Sequence, residues 1–417
     1  MKLNLLNGDC LDILKTIDSD SIDSIVTDPP YGLSKTPDMF EVLKRWLEGD
    51  DYFHRGNGFM GKAWDSFVPG PVIWKECLRV LKPGGHLLSF FGSRTYDLGV
   101  TAIRLAGFDI RDQIMWIYGS GFPKSLDVSK SIDKLAGAQR KVIGQEYNFG
   151  VTKSSDGKLA FGDYAGSWDL SLPATDEAIK WDGWGTGLKP AHEPICMARK
   201  PFTGNLVDNV LKHDTGAINI NACRVEPTND NVSGRWPANL CHDGSYDVLS
   251  LFPQTKSSNK RSAEGRDKVV QGTTWLMNNH QSCEYDDSGS ASRYFYCPKA
   301  SKSDRNEGVT SAYVSNAEMT GRKENSAGLE SPRAGAGRKS GGLNFHPTVK
   351  PTDLMSWLCK LVTPENGTIL DPFMGSGSTG KAAVINNFNF VGIEIDKDYF
   401  EIAQQRIHFK NDCCKEG

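Results

Sequence analysis

Apolar runs short enough to be strands alternate with amphipathic segments along the first part of the chain. Residues 3–6 and 22–26 are aliphatic or β-branched, and CLDILKTI between them repeats its apolar positions at helical spacing. Further helix and strand patterns then alternate, in the order PVIWKECLRVL, HLLSFFG, DLGVTAIRLAG and FDIRDQIMWIY. HLLSFFG is almost entirely apolar, as expected of a strand buried on both faces. This alternation predicts an α/β fold with a doubly wound, largely parallel sheet.

The alternating pattern fails near Gly119 and returns near the C-terminus. Residues from about 119 to 190 are rich in loops, with a short helix pattern in VSKSIDKLAG, and EPICMAR then resumes a strand pattern. From about residue 204 short strands and turns predominate, and polar and basic residues become frequent after 254. The last patterns, alternating from helix to strand and ending in a helix, are PTDLMSWLCKLV, GTILDPF, GSTGKAAVIN, NFVGIEI and KDYFEIAQQRIHF.

The C-terminal elements are too few to complete a sheet on their own. After the glycine-rich loop that follows GTILDPF and the helix that this loop opens, one strand and one helix remain in the sequence. The missing half of the sheet must therefore come from the N-terminal part of the chain. We expect residues 1–203, with an insertion at about 119–190, and residues 344–417 to form one domain around a large inserted region at 204–343.

Composition and charge exclude some classes of protein. The chain has 417 residues and 38% hydrophobic content, which suits a large buried core and fits poorly with a disordered chain. The net charge of -3 argues against a generally basic nucleic-acid coat. Between residues 254 and 340, however, 14 Lys or Arg face 10 Asp or Glu, an excess of four positive charges. This modest excess suits a solvated surface as well as one that faces nucleic acid.

Neither a membrane span nor a metal site is expected. No stretch approaches the apolar length that a bilayer requires, and the N-terminal segment meets acids too early for a secretory signal, so we expect a cytoplasmic protein. The ten cysteines are scattered without a CxxC pair, which favours reduced thiols. Cys223, Cys241 and His242, or Cys283 and Cys297, fit no standard zinc-ligand spacing.

A glycine-rich loop follows the strand pattern in GTILDPF. DPFMGSGSTG, residues 371–380, places Gly375, Gly377 and Gly380 in the G-x-G-x-x-G arrangement between a strand and a helix. Such glycines permit a tight turn and let a ligand approach the backbone. Glu394, nineteen residues after Gly375, ends the next strand and is placed to accept hydrogen bonds from two ribose hydroxyls. The loop predicts a ligand that carries an adenosine, and by itself it suits a dinucleotide equally well.

The segment TDPPYG, residues 27–32, argues against hydride transfer, which has no use for it. Suppose that the ligand is S-adenosylmethionine and the acceptor an exocyclic amino group of a nucleobase, a poor nucleophile. Asp28 and the carbonyl of Pro29 offer hydrogen-bond acceptors for the two amine hydrogens, and Pro29 and Pro30 hold these acceptors rigidly. Tyr31 offers a face on which an extruded base can stack. The alternative is an ordinary Pro-Pro turn with a surface tyrosine.

Together these segments resemble the DNA amino-methyltransferases, specifically the permuted β class in which the catalytic motif precedes the cofactor loop. The resemblance covers roughly half of the chain. It is carried by LLNGDCLDIL, SIDSIVTDPPYG, ECLRVLKPGGHLLSFFG, GFDIRDQIMWIYGSGFPKS, AHEPICMARKP, HPTVKPTDLMSWL, ILDPFMGSGSTGKAA and FVGIEID. The resemblance implies a Rossmann-like methyltransferase sheet built from the N- and C-terminal segments, S-adenosylmethionine as the cofactor, and double-stranded DNA as the substrate.

The resemblance also implies roles for individual residues. Asp28, Pro29, Pro30 and Tyr31 would form the catalytic motif. Asp9 would contact the cofactor adenine, and Thr348 and Lys350 would lie near its methionine end. The cofactor loop and the ribose-binding strand would contribute Asp371, Phe373, Gly375, Gly377 and Glu394.

Residues outside these motifs are expected to support the site. His192 and Glu193 precede a strand, and we interpret them as support for the catalytic pocket rather than as metal ligands, because neighbours on a strand point to opposite faces. Residues 204–343 would form the target-recognition region. Their aromatic and basic segments suit DNA contact, although Tyr294, Phe295 and Tyr296 equally suit ordinary packing.

The DPPY form resembles adenine-N6 enzymes, whereas cytosine-N4 members more often carry Ser or Thr in place of the Asp. We therefore expect transfer to N6 of a flipped adenine in DNA. The alternatives are cytosine-N4 transfer, the same chemistry on RNA or on a protein glutamine, and a catalytically silent DNA-binding relative. GSGFPKS and GFMGKAWDSF are similar to segments of methylases from bacteriophages and their hosts. A homodimer and a cognate restriction nuclease are compatible with the resemblance.

Overall fold

A computed structural model describes residues 1–32, 37–54, 63–121, 125–147, 167–225, 234–256, 288–298, 302–310, 314–315 and 343–416 of the protein. The strands within these residues are β1 (Leu3–Asn7), β2 (Ile22–Thr27), β3 (Leu81–Phe90), β4 (Asp109–Ile117), β5 (Lys141–Tyr147), β6 (Ser167–Leu172), β7 (His192–Arg199), β8 (Leu240–His242), β9 (Gln254–Lys256), β10 (Ser288–Ser290), β11 (Thr368–Asp371) and β12 (Asn389–Glu394).

The helices lie between these strands and after the last of them. They are α1 (Cys10–Leu14), α2 (Met39–Glu48), α3 (Pro71–Val80), α4 (Tyr96–Leu105), α5 (Val128–Leu135), α6 (Asp176–Lys180), α7 (Leu206–His213), α8 (Tyr246–Leu249), α9 (Lys302–Asn306), α10 (Thr352–Val362), α11 (Ser378–Ile385) and α12 (Lys397–Glu416). Short 3₁₀ turns span Ala63–Asp65, Asn221–Cys223 and Ala291–Tyr294.

Eight strands form one sheet in the order β1-β12-β11-β2-β3-β7-β4-β8. All neighbouring pairs are parallel except those of β7, which runs antiparallel to both β3 and β4. The predicted α/β class and the largely parallel sheet are confirmed. The strand predicted at HLLSFFG begins earlier, at Leu81. KPGG follows the end of α3 and already belongs to the sheet, because the backbones of Gly84 and Gly85 form hydrogen bonds with the backbone of Lys200.

The two ends of the chain share this sheet, as predicted. β1, the first strand, pairs in parallel with β12, the last, and β11 pairs with β2 through Ile369 and Ser24. Apolar side chains pack on both faces of the sheet, since neighbouring strand residues point to opposite sides. Val26 belongs to the cluster that contains α10, and Ile25 to the cluster that contains α3 and α4. The core therefore cannot form without both chain ends.

The insertion at about 119–190 contributes a small unit of its own. β5 and β6 pair in an antiparallel hairpin, and α5 packs against α6. Asp133 on α5 joins the pieces, because its carboxylate accepts hydrogen bonds from Arg140 and from the backbone and hydroxyl of Thr175. The chain then returns to the main sheet as β7, where EPICMAR predicted a strand.

The described parts of 204–343 pack on the main sheet. α7 contacts β3, the turn Asn221–Cys223 contacts α10, and β8 pairs with β4. Tyr296 stacks on Trp357 of α10 with ring centroids 5.3 Å apart. α9 is tied to α11 by a buried ion pair between Asp304 and Lys381. The target-recognition role of this region and the boundaries at 204 and 343 stay predictions.

Candidate active site

The sheet changes direction of winding between β2 and β11, and a cleft opens at that point. From β11 the chain crosses to β12 on one side, whereas from β2 it crosses to β3 on the other side. Ligands of doubly wound sheets bind at the carboxyl ends of the strands beside such a switch point. The cleft has a volume of about 1070 Å³ and is lined by residues that follow β2, β11 and β12.

The Pro-Pro loop (residues 28–32) follows β2 and forms one wall of the cleft. Its backbone is held at Tyr31 from both sides. The buried carboxylate of Asp65 accepts hydrogen bonds from the N–H of Tyr31 at 2.7 Å and of Gly32 at 3.2 Å, while Thr95 Oγ1 donates to the Tyr31 carbonyl at 2.6 Å. Gly32 has φ +63, and a Cβ there would lie 2.8 Å from the backbone nitrogen of Val68. The loop is therefore a preorganised element.

Asp28 presents one bonded and one unbonded oxygen. Oδ2 accepts a hydrogen bond from Lys350 Nζ at 2.5 Å. Oδ1 is buried, and it has no hydrogen-bond partner among the residues that the structure describes. A buried carboxylate oxygen without a donor costs free energy unless a ligand supplies the donor. Asp28 therefore offers an acceptor for a polar hydrogen of a ligand.

Glu193 joins this group from β7. Its Oε2 accepts a hydrogen bond from the Tyr31 hydroxyl at 3.0 Å and lies 3.4 Å from Lys350 Nζ. Burial and the charges of Asp28 and Glu193 raise the pKa of Tyr31 well above its usual value. Burial alone would lower the pKa of Lys350, but the same two carboxylates outweigh it and raise that pKa. Lys350 is thus a cation and Tyr31 a neutral phenol.

The glycine loop (residues 371–377) follows β11 and forms the opposite wall. Gly375 has φ +54, and a Cβ there would lie 2.9 Å from His346 Nε2, so the position requires glycine. The Gly375 N–H donates to Glu394 Oε2 at 2.8 Å. Gly377 has φ +82 and begins α11; a Cβ there would press on Ala403 and Ile407 of α12.

Two carboxylates beside the glycine loop are buried and accept hydrogen bonds on both oxygens. Asp371 accepts hydrogen bonds from the hydroxyls of Thr27 and Thr379, each at 2.6 Å. Burial raises its pKa to about 6 although these hydroxyls oppose the shift. Glu394 accepts from the N–H groups of Gly375 and Asp396, and burial raises its pKa to about 7. Each Glu394 oxygen accepts one of these bonds, which leaves capacity for further donors from a ligand.

Three further predicted residues line the cleft. Asp9 caps α1 by accepting hydrogen bonds from the N–H groups of Leu11 and Asp12. Phe373 packs edge-on against Trp74 with ring centroids 6.1 Å apart. Thr348 follows His346 in the same wall, and its N–H donates to His346 Nδ1 at 3.4 Å.

The structure brings almost all of the predicted site residues to one cleft. Asp28, Pro29, Pro30, Tyr31, Asp9, Thr348, Lys350, Asp371, Phe373, Gly375 and Glu394 line it. Gly377 does not, because it lies under the loop against α12. Lys350 contacts Asp28, which sequence reasoning did not anticipate.

Sequence reasoning also missed several residues of the site. Asp65 and Thr95 anchor the Pro-Pro loop, and a wall of aromatic rings stacks Trp64 on His346 at 6.2 Å with Tyr399 edge-on to both. The signal for Asp65 was its place in GFMGKAWDSF, a segment noted without a role. No group of three or more His, Cys, Asp or Glu in the described ranges could hold a metal ion, and Cys283 lies outside those ranges.

Comparison with known proteins decides the family. A family model described as DNA methylase, covering N6 and N4 amino-methyltransferases, matches residues 22–405. The chain belongs to this DNA methylase family. The methylase transfers a methyl group to DNA, and S-adenosylmethionine is its methyl donor.

Individual relatives of the methylase are distant over its full length. The type II methyltransferase M.HindIII of Haemophilus influenzae is 22% identical over 432 aligned positions, covering 98% of this chain and 96% of the relative. The type II methyltransferase M2.MboI of Moraxella bovis is 40% identical over 77 residues, which are 18% of this chain and 28% of that protein.

Solved structures similar to the methylase include the M1.HpyAVI–SAM complex, with 15% identity, a TM-score of 0.38, and coverage of 97% of this chain and 99% of that one. They also include the cytosine-N4-specific PvuII DNA methyltransferase, with 14% identity, a TM-score of 0.42, and coverage of 97% and 86%.

The cleft of the methylase suits its methyl donor. Glu394 retains acceptor capacity for hydroxyl donors, and Gly375, beside which His346 leaves no room for a Cβ, holds this carboxylate through its N–H. Gly375 and Glu394 belong to a strand, loop, helix and strand sequence of the kind that binds adenosine-containing ligands. No helix among the described residues has the length and apolar character that crossing a membrane requires.

Proposed function

We propose that the protein is a β-class, site-specific DNA adenine-N6 methyltransferase that acts on a base flipped out of the duplex. The observation that carries this proposal is the buried Oδ1 of Asp28, which no described residue bonds, in the cleft that also contains Gly375 and Glu394. An acceptor of this kind suits an amino group, which brings two hydrogens. The cleft is large enough to take both a nucleobase and a nucleoside.

The Pro-Pro loop would make the amine reactive. Its lone pair is delocalised into the base, and acceptors aimed at its hydrogens favour a more tetrahedral, more nucleophilic nitrogen. Asp28 Oδ1 and the Pro29 carbonyl supply those acceptors, and the Tyr31 ring supplies a stacking face. S-adenosylmethionine, when bound, supplies an electrophilic methyl group. The nitrogen that gains this group carries one proton in excess, which Asp28 accepts.

The glycine loop and its neighbours would hold the donor. Glu394 is proposed to accept hydrogen bonds from the ribose hydroxyls, and Gly375 to let the ligand approach the backbone. Asp9 and Phe373 are proposed to contact the adenine, and Thr348 to lie near the methionine end. Gly377 acts indirectly, since it sets the packing of α11 on α12 below the loop.

The choice of adenine rests on the acid at position 28, because cytosine-N4 members of this class more often carry Ser or Thr there. Cytosine-N4 transfer needs the same arrangement of acceptors and remains the second candidate. Residues 204–343 are proposed as the target-recognition region, and a homodimer and a cognate nuclease stay predictions.

The decisive experiment combines base identification with a variant of Asp28. Purified protein, S-adenosylmethionine and duplex DNA should yield N6-methyladenine on nucleoside mass spectrometry. Asp28→Ala should lower kcat by about 10³-fold while the Kd for S-adenosylmethionine changes little, because the lost acceptor lies on the base side. Asp412→Ala, at an exposed acid of α12, serves as the matched control.

Other outcomes of this experiment are equally informative. N4-methylcytosine as the product would assign the second candidate. Methyl transfer found on RNA or protein alone would defeat the DNA assignment. Wild type and Asp28→Ala that both bind DNA and are equally inactive would point to a silent DNA-binding relative.

A further inference from the structure

Three charged groups meet on the base side of the cleft, each from a different part of the chain. Asp28 follows β2, Glu193 belongs to β7, and Lys350 precedes α10. The side chains are 17%, 19% and 6% exposed, respectively. Lys350 Nζ lies between the two carboxylates and over the rings of Tyr31 and Phe90, at 5.3 and 5.0 Å from their centroids. The ammonium of Lys350 therefore lies close to two carboxylates and to two aromatic rings.

We infer that Lys350 and Glu193 are positioning residues for methyl transfer, with Lys350 orienting the Asp28 carboxylate and Glu193 orienting both Lys350 and the Tyr31 ring. This inference rests on the proposed role of Asp28. It replaces the expected role of Lys350 at the methionine end of the cofactor and gives Glu193 a defined task. Neither residue needs to touch the base.

The geometry explains why a buried lysine is useful at this place. A carboxylate that rotates freely presents either oxygen in many directions, whereas a hydrogen bond from Lys350 to Oδ2 fixes the plane of the carboxyl group. Oδ1, for which the described ranges supply no hydrogen-bond partner, is then held in place for the incoming amine. Burying an ammonium is costly unless it is paired, and two carboxylates provide the pairing.

Charge gives Lys350 a second effect. Without a cation, Asp28 and Glu193 would be two like charges in one partly buried site, and each would disfavour the charge of the other. A protonated Asp28 could no longer accept both a hydrogen bond and a proton from the amine. Lys350 therefore favours the ionised carboxylate that the reaction uses.

Glu193 also links the acid to the stacking face. The Tyr31 hydroxyl donates to the same Glu193 oxygen that faces Lys350, so one carboxylate sets the position of the ammonium and the tilt of the ring. Other titratable groups face the cluster: Tyr118, at the end of β4, experiences the charges of Glu193 and Lys350, and Asp371 experiences that of Asp28. Burial raises the pKa values of Tyr118 and Tyr31 above the ordinary value of a phenol, so both stay neutral across the pH range of the reaction.

The test is the pH dependence of kcat for two variants with opposite changes of charge. The acid limb of kcat reports the protonation of the base that the reaction uses in the complex with both substrates. Lys350→Met removes a neighbouring cation and should move that limb to higher pH by about one unit or more. Glu193→Gln removes a neighbouring anion and should move it to lower pH. Lys350→Met should also lower kcat about 100-fold, and Lys350→Arg, which keeps the charge, should recover part of that loss.

Binding measurements separate this inference from its competitors. In both variants the Kd for S-adenosylmethionine should stay within about threefold of wild type, less than one decade of affinity. A large rise of that Kd in Lys350→Met with unchanged kcat would place Lys350 on the cofactor and overturn the inference. Falls in kcat without any shift of the acid limb would show a merely structural role and also overturn it.

Two further arms keep the test decisive. If Lys350→Met does not fold, the isosteric Glu193→Gln carries the test through its downward shift, and an unmoved limb in that variant defeats the inference. Asp28→Ala is run in parallel. Full activity of Asp28→Ala would defeat the proposed function itself, whereas an inactive Asp28→Ala beside unaltered Lys350 and Glu193 variants would defeat this inference alone.

Discussion

The Pro-Pro loop and the glycine loop follow neighbouring parallel strands and face each other across one cleft, but different contacts hold them. The Pro-Pro loop depends on side chains remote in sequence: Asp65, Thr95 and Lys350 bond to residues 34, 64 and 322 positions away. The glycine loop is held largely from nearby, since Glu394 bonds to Gly375 over 19 positions and Thr379 to Asp371 over 8, although Thr27 also bonds to Asp371 over 344. The acceptor side of the site is therefore a product of tertiary structure, and the donor side is mainly a local motif.

The two aspartates that end the strands show the same contrast. Asp371 accepts hydrogen bonds on both oxygens from hydroxyls of the protein, so it is closed and stabilises the loop. Asp28 is bonded on one oxygen, and its other oxygen is buried and has no hydrogen-bond partner in the part of the chain that the structure describes. A carboxylate whose two oxygens are both bonded by the protein suits a structural role, and a carboxylate with an unbonded oxygen suits a group that must receive a ligand. We therefore expect changes at the two loops to affect different kinetic constants.

Among the changes that test this contrast between the loops, the largest effect is expected at Asp65, the buried anchor of the Pro-Pro loop. Asp65→Ala leaves the N–H groups of Tyr31 and Gly32 without this acceptor, and a small displacement of the loop misplaces Asp28. Because misplacement of about 1 Å lowers rates on the order of 100-fold, kcat should fall by about that factor. Kinetics at saturating S-adenosylmethionine and DNA measure this fall.

Asp65→Asn is the matched control, because both bonds go to one carboxylate oxygen, Oδ1, which the amide oxygen of Asn can replace, so much of the rate should be preserved. The melting temperature should also drop in Asp65→Ala, because two buried donors lose their acceptor at about 1–3 kcal/mol each. The contrast between the loops fails if the Kd for S-adenosylmethionine rises as much as kcat falls.

This contrast also explains which parts of the site sequence reasoning could find. Gly375 and Glu394 belong to one strand, loop and helix unit, so their spacing alone predicted their neighbourhood. Asp65 and Thr95 reach the Pro-Pro loop through folding of the whole sheet, and nothing in their local sequence indicates a partner at Tyr31. Glu193 was expected to support the pocket, but its contact with Lys350 requires β7 to be inserted beside β3.

The fold, like the site, could be predicted where local sequence patterns determine it. Apolar periodicity indicated the strands, and the shortage of elements after the glycine loop required the N-terminal strands to complete the sheet. Hydrophobic pattern does not distinguish parallel from antiparallel pairing for a strand buried on both faces, so the reversed direction of β7 was not predicted. The packing of α9 on α11 rests on a pair of residues 77 positions apart and was equally out of reach.

An intermediate effect is expected at Gly375. Gly375→Ala introduces a Cβ 2.9 Å from His346 Nε2 at φ +54, so the loop or the aromatic wall must shift. The cost of such a conformation is about 1–2 kcal/mol, which corresponds to a roughly tenfold rise in the Kd for S-adenosylmethionine, while kcat at saturation should change little.

Gly137→Ala is the matched control for this variant. Gly137 has φ +65 but no atom within 4 Å of an added Cβ, so it shares the backbone penalty without the collision. Thermal stability should fall slightly in this variant, with unaltered cofactor affinity. If Gly375→Ala and Gly137→Ala bound S-adenosylmethionine equally well, the glycine loop would not be part of the binding site for the methyl donor.

An effect no larger than that at Gly375 is expected from pH and again concerns the donor side. Burial raises the pKa of Glu394 to about 7, so its carboxyl group is largely protonated at pH 6 and largely ionised at pH 8. Ribose hydroxyls donate hydrogen bonds, which favours the ionised form, and the competent fraction sets the apparent affinity. The Kd for S-adenosylmethionine should therefore fall about tenfold from pH 6 to pH 8.

In Glu394→Gln the affinity should be weaker and nearly independent of pH, as calorimetry over this range would show. A slope that survives in Glu394→Gln would assign the titration to another group, and Asp371, whose pKa burial raises to about 6, is the first to examine.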